Sequence, residues 1–196
     1  MRKAITLGTS AAILVGLAVA AAPAGADTTN ATFTLTGGGL SLSVPTNPTV
    51  NLSSGLAIGS AQVAGALNPT TVTDQRGSLL ASWKVQVTGS DFVTGASTTG
   101  TTSDDYTIPK ANTYAYIDVT ALTALVPTGG MVVTSAALTA NKANLAEPAT
   151  PADAPTLIAG TTAGNGSITY TPSLSVTIPA QAIAGTYSGS VVQTAS

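Results

Sequence analysis

The 196-residue chain carries only 14 charged side chains, six Lys plus Arg against eight Asp plus Glu, and has neither His nor Cys. Thr and Ala occur 34 times each, and with 20 Gly and 18 Ser these four small residue types fill 106 positions. This composition excludes a disulfide framework, a thiol nucleophile, a thiolate metal site and an imidazole base, and its slightly acidic balance leaves no basic stripe for nucleic acid.

The first element reads as an export signal. Met1-Arg2-Lys3 is a short positive region, residues 4–22 are uncharged and mostly apolar, and Ala24-Gly25-Ala26 has the small-x-small pattern that a signal peptidase cleaves. Thr6, Gly8, Thr9 and Ser10 shorten the greasy part of this stretch, and no later segment approaches transmembrane length. The expectation is cleavage between Ala26 and Asp27, a secreted location, and a single mature domain over 27–196 without a membrane span. That domain holds Arg76, Lys84, Lys110 and Lys142 against all eight acids, a formal charge of −4.

Alternation with period two dominates the mature region, and no amphipathic helix interrupts it. Residues 32–35 and 40–44 alternate on either side of Gly37-Gly38-Gly39, which predicts a hairpin. Residues 61–67 form a softer strand, Asn68-Pro69 a turn, and the next strand begins at 71–73. The strongest strand spans 79–88, with Ala81, Trp83, Val85 and Val87 on a buried face and Ser82, Lys84, Gln86 and Thr88 on a wet one. A Thr/Ser/Gly/Asp loop comes next at 95–105. Strands are expected at 113–119 and 131–138, then an extended connection over 143–155, where Pro148, Pro151 and Pro155 forbid a helix. Strands at 168–170, 174–178 and 187–193 end the chain. Strands at this spacing, each followed by a turn signal, predict an all-β fold, an antiparallel β-sandwich of immunoglobulin-like, Greek-key type.

Few residues could carry chemistry. Asp104-Asp105 is the only adjacent acid pair; it reads as a solvated loop, or with Asp91 as a loose Ca²⁺ site. Ser and Thr nucleophiles need an activating base, and no Ser-x-x-Lys arrangement supplies one. Neither an enzyme nor a cofactor is expected. Asp74-Gln75-Arg76-Gly77 reads as a turn in which the carboxylate and guanidinium pair and Gly77 takes a positive φ. Trp83 is the only tryptophan, either a core anchor beside Val85 and Val87 or a contact at an exposed sheet edge. Tyr114 and Tyr116 share a strand face with Asp118, which suits stacking on a sugar ring or simply covering a half-buried sheet.

Several short motifs stand one after another in a recognisable order. Val72-Thr73-Asp74-Gln75-Arg76-Gly77, Trp83-Lys84-Val85 and Asp91-Phe92, then 172–179 (PSLSVTIP) and 184–189 (AGTYSG), resemble the signatures of WxL-domain proteins, most closely the short secreted actinobacterial type. The resemblance implies an extracellular β-sandwich of Gram-positive bacteria, held non-covalently on the cell wall through peptidoglycan or on surface partner proteins. It implies Trp83 and Val85 as binding residues, joined here by Tyr114 and Tyr116, with Asp74, Arg76 and Gly77 as a structural motif. The second Trp-x-Leu position reads Gln193-Thr194-Ala195 and lacks both signature residues. The alternative expectation is an assembly protein that self-associates or joins a larger surface protein through its sheet edges.

Overall fold

The computed structural model describes residues 32–45, 50–52, 55–94, 106–123, 125–146 and 153–196. The chain divides into two units, Met1–Thr34 and Leu35–Ser196. The expected signal segment, the acid pair Asp104-Asp105, Pro148 and Pro151 lie outside the described residues. In the first unit, residues 32–34 are irregular and exposed. Every described strand belongs to the second unit.

That second unit is an all-β, sandwich-like fold of antiparallel sheets, as the alternation predicts. The largest sheet contains β1 (Leu40–Ser43), β3 (Thr70–Gly89), β7 (Thr128–Ala136), β9 (Thr156–Tyr170) and β12 (Val191–Ala195). In it β9 lies between β3 and β7, while β1 and β12 line successive stretches of the other edge of β3. A second sheet has the order β2 (Gln62–Ala66), β10 (Pro172–Thr177), β6 (Thr113–Ile117) and β8 (Ala143–Asn144). The third is small: β11 (Tyr187–Ser188), β4 (Phe92–Thr94) and β5 (Thr107–Ile108). The core between them includes Val72, Trp83, Val85, Val87, Ile117, Leu145, Leu157, Ile158, Ile168, Tyr170 and Leu174.

Two expectations change here. The hairpin over 32–44 is absent: residues 32–39 form no strand, and β1 pairs with β3, Leu40 opposite Asp74. Gly37 and Gly38 serve close approach rather than a turn. A Cβ on Gly37 would lie 2.4 Å from the Arg76 carbonyl oxygen, and one on Gly38 2.9 Å from the Gln75 Cβ. The turn expected at 74–77 is instead an irregularity inside one continuous strand. The register of β3 against β9 shifts between Asp74 and Ser78 and again between Ser78 and Ala81. Local chemistry is the same in a turn and a bulge, and pairing on both sides makes it a bulge.

These bulges bend β3 back on itself. The Gln193 side chain, on β12 opposite Val87, accepts from the Tyr170 hydroxyl at 2.7 Å and donates to the Thr70 hydroxyl at 3.2 Å. In a straight strand at about 3.3 Å per residue, residues 70 and 87 would stand roughly 55 Å apart. One glutamine spans them. The two ends of β3 therefore meet, and its middle turns away from them.

The 131–138 strand begins at Thr128, and the 168–170 strand extends back to Thr156. Helix is confined, among the described residues, to a five-residue α1 (Val119–Thr123) and a 3-10 turn at Lys110–Asn112. Small residues let the central strands close up. A Cβ on Gly160 would sit 2.0 Å from the Val132 carbonyl oxygen and 2.6 Å from the Trp83 ring. Gly160→Ala is therefore expected to lower stability by about 1–3 kcal/mol through overpacking, measured as a shifted urea midpoint. An unchanged midpoint would show that β7 can move away.

Candidate functional site

The alternation of β3 fixes where its aromatic goes. Trp83 is 2% exposed and Val85 fully buried, on the same core face as Val87. Neither side chain offers a surface contact, contrary to the binding role the motif implies. The indole packs against Gly160, and its Nε1–H, also buried, meets no hydrogen-bond partner among the described residues. The segment expected to carry the second motif is the neighbouring strand. Ala195 lies opposite Val85, and Ser196 exchanges backbone hydrogen bonds of 2.9 and 3.0 Å with Lys84. The two segments are thus adjacent as backbone pairs, with the tryptophan turned inward.

Asp74, Arg76 and Gly77 build the bulge. The fully buried Asp74 carboxylate accepts the Arg76 backbone N–H and Nε–H, each at 3.0 Å, and its Nη2–H at 2.8 Å. The same Nη2 donates to the Ser82 carbonyl at 2.8 Å, so one guanidinium ties both shoulders of the excursion together. Gly77 has φ 67°, which a residue with a Cβ rarely adopts. Hydrogen bonding from Arg76 holds the Asp74 carboxyl down at about 2, against a desolvation cost that works the other way. All of this is internal satisfaction, and it presents no open ligand position.

Tyr114 and Tyr116 lie on the face of β6 opposite the buried Thr113, Ala115 and Ile117, and both rings are half-buried. Register brings further groups onto that outer face: Tyr114 is opposite Ser175 and Asn144, Tyr116 opposite Ser173, and Thr177 opposite Gln62. The Lys142 Nζ sits 4.8 Å from the centre of the Tyr116 ring and donates to the Ser175 hydroxyl at 3.3 Å. The Gln62 amide also donates to Ser175. The result is a platform of two aromatic rings, an ammonium and several amides and hydroxyls. Asp118 does not join it. Its carboxylate accepts the Thr120 backbone N–H at 2.9 Å and hydroxyl at 2.6 Å, capping α1, and these bonds lower its pKa. Gln62, Lys142 and Ser175 carried no sequence signal, because only strand pairing brings them beside the tyrosines.

A second feature had no sequence signal at all. An open cleft of about 1200 Å³ lies between the β2–β10 edge of the second sheet and the strands of the third. Leu52, Val63, Phe92, Ile178, Ile183 and Tyr187 supply much of its lining, and none of its lining residues is charged. The Tyr187 hydroxyl donates to the Ile183 carbonyl at 2.9 Å, and the Tyr187 ring meets Tyr106 edge-on at 6.4 Å.

Among the described residues no three His, Cys, Asp or Glu side chains are grouped to hold a metal ion, and no helix is long and apolar enough to cross a membrane. The chain matches no protein-family model, no curated protein and no solved structure.

Proposed function

We propose that this is a secreted, non-enzymatic binding protein that associates non-covalently with the bacterial cell wall through the outer face of its four-stranded sheet. The observation that carries this reading is the Tyr114–Tyr116–Lys142 platform, with Gln62, Asn144 and Ser173 around it. Peptidoglycan presents flat sugar C–H faces for the rings, hydroxyls and amides for the small polar groups, and stem-peptide carboxylates for the ammonium. The signal-like N-terminus and the WxL resemblance point to the same location, and a chain without His or Cys suits holding better than chemistry. The contact differs from the one the resemblance implies, since the tyrosine face replaces Trp83 and Val85.

The test is sedimentation with purified wall sacculi. Replacing both Tyr114 and Tyr116 by alanine is expected to weaken binding roughly tenfold or more, from two rings worth about 0.5–1.5 kcal/mol each. Raised salt weakens the Lys142 contribution in addition. Trp83 fluorescence reports whether the variant is folded. Undiminished sacculus binding by a folded double variant would end this reading.

A further inference from the structure

Ser175 is 2% exposed, although it stands on the outer face of the second sheet, opposite Tyr114. On the same face of β10, Ser173 is half-buried and Thr177 exposed. Alternation gives all three the same outlook, so other side chains lie on top of Ser175. Gln62 reaches it from β2 on one side, and Lys142 from the other.

The lysine comes the longer way. It stands one residue before β8, which pairs with one edge of β6, while Ser175 is on β10, which pairs with the other edge. Two strand spacings, about 10 Å, separate β8 from β10. The Lys142 side chain therefore crosses β6 to bring its Nζ within 3.3 Å of the Ser175 hydroxyl. There the ammonium stands over the Tyr116 ring, 4.8 Å from its centre. The side chain is a strap fastened at both ends across one of the two rings of the platform.

That position is the one a stacked sugar would take. A neutral saccharide must push the ammonium off Tyr116, giving up a cation–π contact worth roughly two- to fivefold in affinity. A saccharide with a carboxylate beside the stacked ring meets the strap differently. Among the described residues no carboxylate pairs with Lys142, so the ammonium can move to the ligand anion without breaking an ion pair. The charge-assisted hydrogen bond then replaces the contact with the ring.

We infer that Lys142 is a gate that makes the tyrosine platform selective for acidic saccharides, its ammonium leaving Tyr116 only when a ligand carboxylate draws it away. This rests on the wall-binding reading and narrows its ligand. The carboxylate is carried either by the sugar itself, as a lactyl group, or by a peptide attached to it.

Calorimetric titration of the full chain with three probes tests the gate: a neutral N-acetylglucosamine oligomer, a peptide-free glycan strand with free lactyl carboxylates, and a muropeptide whose free carboxylates are on the peptide. Lys142→Ala is expected to bind the neutral oligomer roughly two- to fivefold more tightly than the wild type. It should bind an acidic probe about tenfold more weakly, and whichever acidic probe shows this loss identifies the source of the carboxylate. Ser175→Ala unfastens the strap and keeps the charge, so it should tighten the neutral oligomer without weakening the acidic probes. Trp83 emission checks that both variants are folded. A Lys142→Ala protein that binds neutral and acidic probes equally less well, or that matches the wild type on all three, overturns the gate and leaves the platform standing. A wild type that binds none of the probes overturns the gate together with the wall-binding reading.

Discussion

Replacing Trp83 by alanine is expected to remove about 3–5 kcal/mol of stability, the cost of deleting a buried aromatic and leaving a cavity. The indole is 2% exposed and lies against Gly160, which has no side chain with which to fill the space. Trp83→Phe makes the comparison informative. Among the described residues the indole N–H has no hydrogen-bond partner, so phenylalanine loses ring volume but leaves none of them unpaired. Its cost should stay below about 1.5 kcal/mol. Urea denaturation of the three proteins measures both differences. The wild-type emission should be blue-shifted, poorly quenched by acrylamide and indifferent to peptidoglycan fragments. A quenchable emission that fragments protect would put the ring at the surface and reverse this prediction.

The second large effect belongs to Asp74. Its carboxyl is held at about 2 in the folded protein against an ordinary value of 3.8. The sign follows from that depression. The carboxylate's contribution is complete above the unfolded value and disappears as pH falls through 3.8 toward 2. The shift corresponds to about 2 kcal/mol. Asp74→Ala should therefore cost about 2–4 kcal/mol near neutral pH, because it also frees the Arg76 backbone N–H and the guanidinium that holds Ser82. Asp74→Asn keeps an acceptor and should cost about 1–2 kcal/mol. It should also flatten the loss of stability between pH 4 and 2 relative to wild type. Asp118, whose pKa is lowered by hydrogen bonds from Thr120, is the same in both proteins, so the difference between them isolates Asp74. Parallel stability curves for the wild type and Asp74→Asn would refute the assignment.

How far the sequence was legible depends on where large alternating side chains stand. Ala81, Trp83, Val85 and Val87 announce a strand and its buried face, and that face is buried. Residues 156–167 of β9 announce nothing, because Gly160, Thr161, Thr162, Ala163, Gly164 and Gly166 have the small side chains of a loop. Gly160 and Gly166 are small because Trp83 and β7 lie against them, a requirement set by residues far along the chain, whereas Gly164 has open space around it and a φ of 81°. Gly37 and Gly38 misled for a related reason, since close approach and turn formation ask for the same residue type. Leu79 continues the odd-numbered alternation of the core face, yet the register shift before Ala81 puts it in water. Pairing of Asp74 with Arg76 was readable locally, two residues apart. The tyrosine platform was readable only in part: Tyr114 and Tyr116 share a strand, whereas Lys142 and Gln62 arrive through registers that no local pattern encodes.

The pairing of Thr70 with Tyr170 governs how the chain reaches its native state. One long edge of the twenty-residue β3 finds its partner only in β9, and the C-terminal half of the other edge only in β12. A ribosome must therefore translate as far as Ala195 before this strand is covered on both sides. Closing loops of that length is entropically slow, and contacts so distant in sequence place the protein among slow-folding topologies. Throughout that interval β3 displays unpaired backbone groups, with only Asp74, Arg76 and Lys84 to repel another nascent chain. Dilution or a chaperone that masks this strand should raise the refolding yield more than any change made to the finished fold.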